Sequence, residues 1–142
     1  MAAFLTKTIG NDSWQKYIKR LSPRNDIATY YRKMDCFLSP SREEGFTYSV
    51  AEAAYCGCQV ILSQCPGQEE YLKHSIPSFH WLQDPNTVDI TDDLTQEILK
   101  AYKMPQGTKE EMVRESQKYL ESHFKMNKWV EDVVKIYDEL MK

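Results

Sequence analysis

The stretch DCFLSPSREEGFTYSVAEAAYCGCQVILS, residues 35–63, decides the fold class. It opens on a short apolar run, DCFLSP, which reads as a buried strand ended by Pro40, since proline cannot continue a hydrogen-bonded ladder. A polar loop, SREEGF, leads into TYSVAEAAY. That segment reads as a helix closed by Gly57, the residue type favoured where a helix end needs positive φ. QVILS is again short and apolar, a second strand. Strand, loop, helix and strand make a βαβ unit, and units of this kind build a mostly parallel sheet.

The flanks continue the alternation. Upstream, AFLTKTI and YIKRL are weaker strand candidates, and Ser22-Pro23 with Asn25-Asp26 is a helix-start signal. The helix predicted over IATYYRKM buries Ile27, Tyr30, Tyr31 and Met34 at helical spacing. Downstream come a CPGQ turn, a short helix EEYLKH and a strand SFHWLQ stopped by Asp84-Pro85-Asn86. Thr91 with Asp92 and Asp93 is expected to cap a helix through ILKAY, which Gly107 breaks. Thr108 and Glu111 have capping-box spacing for a long helical end. Its apolar residues, among them Val113, Leu120, Phe124, Trp129, Val133 and Leu140, recur mostly at three and four. The expectation is one domain over residues 1–142, a Rossmann-like three-layer α/β fold.

Composition sets the bounds. A chain of 142 residues supports one core. With 42% hydrophobic residues and no apolar run near the ~20 needed to cross a bilayer, it reads as globular, without a secretory leader, and cytoplasmic. Cys36, Cys56, Cys58 and Cys65 lack metal or disulfide spacing and read as buried thiols. His74, His80 and His123 are scattered and read as core or surface residues, so no metal site is expected. Residues 1–42 hold eight lysines and arginines against three aspartates, a net +5 within an overall −3. Such an end can meet phosphate or an anionic membrane surface. Nucleic acid is not expected as a partner, because the basic residues are not interleaved with aromatics in any recognised module.

Ligands of parallel α/β sheets bind beyond the carboxyl ends of the strands, and SREEGFT lies at such a junction. Free amides around Phe46, Thr47 and Tyr48 suit an anion such as a diphosphate. Gly45 lets backbone approach the ligand, and Thr47 adds a hydroxyl. Glu52, about two turns into the helix, can accept from a vicinal diol such as that of a ribose. Glu44, in the loop, can reach hydroxyls of a sugar beyond the diphosphate. The plainer reading makes Glu43 and Glu44 solvated loop charges and Glu52 a surface helix residue.

The run DCFLSPSREEGFTYSVAEAAYCGCQVILSQCPGQEE resembles the retaining glycosyltransferases of family 4, which have the two-domain GT-B fold. The matching positions are Pro40, Ser41, Glu44, Gly45, Phe46, Glu52, Ala53, Gly57, Gly67 and Glu70. The likeness extends through NDIATYYRKMD and WVEDVVKIYDEL, most of the chain. It implies that Glu52 is the ribose-binding glutamate and Glu44 the one near the donor sugar, in the catalytic role. Gly45, Phe46, Thr47 and Tyr48 then belong to the substrate-binding loop. It further implies a hexosyltransferase-type enzyme of polysaccharide or glycolipid synthesis, with a nucleotide diphosphate sugar as donor, retention of configuration and no cofactor.

Two departures stand out. The family usually has glycine where Thr47 stands. Its opening strand, Gly-Arg turn and lysine have no clear counterpart in MAAFLTKTIG, with Lys7 and Arg42 as weak substitutes. The resemblance therefore implies the donor-binding C-terminal part of a longer enzyme, inactive without its N-terminal acceptor domain. A homodimer through open sheet edges and peripheral membrane contact of the whole enzyme are further expectations. The competing class is a non-catalytic nucleotide-sugar-binding or assembly module; a sugar epimerase fits the loop and helix poorly.

Overall fold

The computed structural model describes residues 16–141 apart from 20 and 125. The candidate strand AFLTKTI, Lys7, and the side chains of Glu70 and Trp129 lie outside the described residues. The remaining part of YIKRL forms no strand.

Among the described residues nine elements follow in order: α1 (Ile27–Tyr31), β1 (Cys36–Ser39), α2 (Tyr48–Tyr55), β2 (Gln59–Ser63), α3 (Glu69–Leu72), β3 (Phe79–Leu82), α4 (Thr91–Lys103), α5 (Gln106–His123) and α6 (Met126–Leu140). The strands form one parallel sheet in the order β1-β2-β3. Phe37 is level with Val60, and Leu62 with Trp81. The fold is thus the Rossmann-like α/β arrangement expected from the sequence.

β2 is central, and every residue of QVILS is buried. Its alternation assigns each side chain to a layer. Val60 and Leu62 join Val50 and Ala54 of α2, Tyr71, Phe79 and Leu120 of α5 in the main core. Gln59 points to the other face, where His80 Nε2 lies 2.9 Å from Gln59 Oε1 and His80 Nδ1 3.2 Å from Glu97 of α4. His80 is therefore a strut between sheet and helix.

α2 ends as Gly57 suggested. That glycine has φ +105°, the Cys58 amide donates to Ala53 O, and the Gly57 amide donates to Ala54 O, which closes the helix with paired carbonyls. The Cys58 thiol donates to Tyr31 O, and burial raises its pKa to about 11. Burial also pushes Cys36 up to about 11. All four cysteines are free.

Three expectations need correction. Met34 is exposed rather than buried, because α1 ends at Tyr31 and leaves it beyond the helix. Leu38 is 43% exposed: among the described residues β1 is the outer strand of the sheet, and only its Phe37 side is covered by the core. The break after α4 is made by Met104 and Pro105 instead of Gly107. Met104 is extended (ψ 133°), as a residue before proline prefers, and Pro105 stands at the start of α5. Gly107, Thr108 and Glu111 consequently lie inside α5, where no capping box forms.

A Cβ at Gly107 would meet nothing within 4 Å. Gly107→Ala is therefore expected to stabilise the fold by about 0.5–1 kcal/mol, through the backbone freedom it removes from the unfolded chain. Thermal unfolding checks this; a lower melting temperature would contradict it.

Three hydrogen bonds to other parts of the chain fix α5 where the site requires it. Ser116, fully buried, accepts the Ser78 amide at 2.9 Å and donates to Met112 O. Gln117 Nε2 donates to Tyr55 O at 2.7 Å, and Tyr55 donates to Glu121 at 2.9 Å, so α5 runs along α2. No helix among the described residues is long and apolar enough to cross a membrane.

Candidate functional site

Because the sheet is parallel, the loops after β1, β2 and β3 meet at one end. The β1 loop, residues 40–47, carries most of the expected site and is tied down along its length. Asn86 of the β3 loop donates to Arg42 O at 2.8 Å, and Ser63 at the end of β2 donates to Ser41 O. The Glu44 amide donates to Pro66 O of the β2 loop at 3.0 Å. Tyr71 donates its hydroxyl to Thr47 O at 3.0 Å. Tyr71 is fully buried, and that burial raises its pKa, so the phenol stays protonated as a donor.

Within this frame the predicted residues have distinct settings. Glu44 is half-buried; Ser41 Oγ donates to its Oε1 at 2.6 Å, and its Oε2 has no protein partner among the described residues. Gly45 is exposed, and a Cβ there would meet nothing within 4 Å, so the protein's own packing does not demand a glycine. Phe46 is 38% exposed, with its ring 5.2 Å from Tyr71 and 6.1 Å from Phe124 between centroids. Its side chain anchors the loop to the core. Tyr48 is 69% exposed.

The amides behave only partly as expected. Tyr48 N–H is taken by Phe46 O, whereas those of Gly45, Phe46 and Thr47 have no acceptor among the described residues. The Thr47 hydroxyl, expected to face a ligand, is out of solvent and without a partner there.

Glu52 is exposed on α2 and borders an open hollow of about 370 Å³, whose other lining residues are Ala51, Tyr55, Leu120, Glu121 and Phe124. Glu44 lies outside that hollow. The two glutamates thus flank α2, one at the loop before it and one on its side toward α5. Gln68, at the end of the CPGQ turn, is fully buried; its Nε2 donates to Ser39 Oγ at 2.5 Å.

Sequence reasoning missed Ser63, Tyr71 and Asn86, which hold the loop, and Glu121 and Phe124, which complete the hollow. The first three act across 22 to 44 residues of chain. Only the proline-glycine pair at 66–67 carried a local signal.

With this geometry in place, comparison with known proteins identifies the class. The chain belongs to the glycosyl transferases group 1 family, which it matches over residues 5–119. It is 27% identical over 122 residues to N,N'-diacetylbacillosaminyl-diphospho-undecaprenol alpha-1,3-N-acetylgalactosaminyltransferase of Campylobacter jejuni subsp. jejuni serotype O:2. That match covers 86% of this chain and 31% of the relative, so the chain spans about a third of that protein's length.

Proposed function

We propose that this chain is the donor-binding domain of a retaining glycosyltransferase of family 4 with the GT-B fold, and that it binds a nucleotide diphosphate sugar. One observation carries the reading: a glycine-containing loop at the carboxyl end of β1 holds Glu44 with a carboxylate oxygen that no described residue engages, and the helix it opens presents Glu52 to solvent. In this reading Glu52 accepts the ribose hydroxyls, while the amides of Gly45, Phe46 and Thr47 and the start of α2 receive the phosphates. Glu44 accepts from hydroxyls of the transferred sugar. Tyr48 flanks the same approach.

A nucleoside diphosphate is the leaving group of such a transfer, and its developing charge is met by fixed dipoles at this loop. The acceptor side falls to the portion of such an enzyme that the match does not cover. A lipid-linked saccharide is the acceptor class supported by the relative's name. The whole enzyme would then work at a membrane surface on the cytoplasmic side.

Calorimetric titration with UDP-N-acetylgalactosamine, UDP-glucose and GDP-mannose tests the reading. At least one is expected to bind. Glu52→Ala is expected to weaken that binding roughly 10- to 100-fold, the worth of a charge-assisted hydrogen bond of about 1.5–3 kcal/mol. Unchanged affinity would remove the ribose role and favour a non-catalytic module.

A further inference from the structure

Gly67 is the residue whose surroundings least tolerate a side chain. Its φ is +86°, and a Cβ placed on it would stand 2.0 Å from Glu44 O, 2.1 Å from Gly45 O and 2.6 Å from Glu44 C. All three are backbone atoms, so no side-chain rotation relieves the overlap. Carbon contacts normally begin beyond about 3 Å, and the 44–45 turn would have to move by about 1 Å or more.

The turn bearing Gly67 cannot retreat either. Its Pro66 carbonyl accepts the Glu44 amide at 3.0 Å. Next along the chain, buried Gln68 is bonded to Ser39 Oγ at 2.5 Å and to Ser39 O at 3.4 Å, anchoring it to the end of β1. The Glu44–Gly45 turn rests directly on the Pro66–Gly67 turn, backbone against backbone.

We infer that Gly67 is a positioning residue for donor binding: the bare Cα at this place lets the β2 loop set the height of the Glu44–Gly45 turn, and with it the Glu44 carboxylate and the Gly45 amide. This rests on the donor-binding reading above. Displacements near 1 Å at groups that orient a substrate are enough for large losses. The sequence showed Gly67 only as one position of a resemblance; the collision distances supply its role.

A control is built into the fold. Gly57 also has positive φ (+105°), yet a Cβ there would meet only Val113 Cγ1, at an ordinary 3.8 Å. Gly57→Ala therefore carries the backbone strain without the collision.

The experiment compares the parent chain, Gly67→Ala and Gly57→Ala by amide hydrogen exchange and by calorimetry with the three nucleotide sugars named above. Both variants are expected to melt several degrees lower. Only Gly67→Ala is expected to speed exchange at Glu44 and its neighbours, and to weaken the bound sugar nucleotide about tenfold or more, a loss of about 1.4 kcal/mol. Equal exchange at Glu44 in the two variants overturns the positioning role. Faster exchange with unchanged affinity overturns its link to donor binding.

If the parent binds none of the three ligands, the functional reading fails and the donor-binding role of Gly67 with it, while exchange still reports whether Gly67 holds the turn. Should Gly67→Ala not fold, Ser63→Ala replaces it. That variant removes the hydroxyl bonded to Ser41 O without any collision, and it should speed exchange over 41–44 and weaken binding; no change in either overturns the inference.

Discussion

Tyr71→Ala is expected to cost about 3–5 kcal/mol, the range for deleting a large buried aromatic ring. Against a total stability of about 5–15 kcal/mol for a domain, that brings the folded state close to its threshold. The residue is completely buried, with its ring 5.5 Å from Phe79, 5.2 Å from Phe46 and 5.9 Å from Phe124, each pair adding to simple burial. Its hydroxyl is bonded to Thr47 O, so a single side chain supports both the core and the loop before α2. Tyr71→Phe isolates the second part. It keeps the ring, loses one hydrogen bond and should cost about 1 kcal/mol. Urea denaturation separates the two variants by midpoint at constant slope. Equal losses would mean that the ring contributes nothing beyond the hydroxyl, contrary to the packing seen here.

Glu44→Ala should act on ligand recognition with little effect on stability. The carboxylate is half-buried, and among the described residues its one bond is that accepted from Ser41, with the second oxygen unengaged. If that oxygen serves the transferred sugar, the substitution weakens a sugar nucleotide by roughly 10- to 100-fold, the equivalent of about 1.5–3 kcal/mol. The corresponding nucleoside diphosphate, which lacks the sugar, should bind nearly as before. Glu52→Ala should weaken both ligands alike, since both contain the ribose. Calorimetry with the two ligands and the two variants distinguishes the roles, and equal losses for both ligands in Glu44→Ala would remove its assignment to the sugar.

Much of this architecture was legible in the sequence, for reasons particular to its segments. The three strands stand where short apolar runs end in proline, glycine or a polar turn, and QVILS matches β2 residue for residue because a central parallel strand is apolar on both faces. Gly57 announced the end of α2 because left-handed backbone favours glycine. The exposure of Leu38 was not legible: an apolar run does not say which of a strand's faces the described core leaves uncovered. Nor was the start of α5, where a glycine that looked like a breaker sits harmlessly in the first turn.

At the site, the residue types and the position of the loop were readable, since they follow from local order along the chain. The fastening of that loop was not. Ser63, Tyr71 and Asn86 reach it from elements distant along the chain, and no local pattern marks a side chain that bonds a distant carbonyl.

The cross-bracing of residues 41–47 by both neighbouring loops bears on how fast and how cheaply a ligand can be captured. A recognition segment already immobilised during folding surrenders little conformational freedom when a small molecule arrives, so more of the contact energy remains as net affinity. Encounter should accordingly proceed in one kinetic phase, without a slow rearrangement trailing behind it.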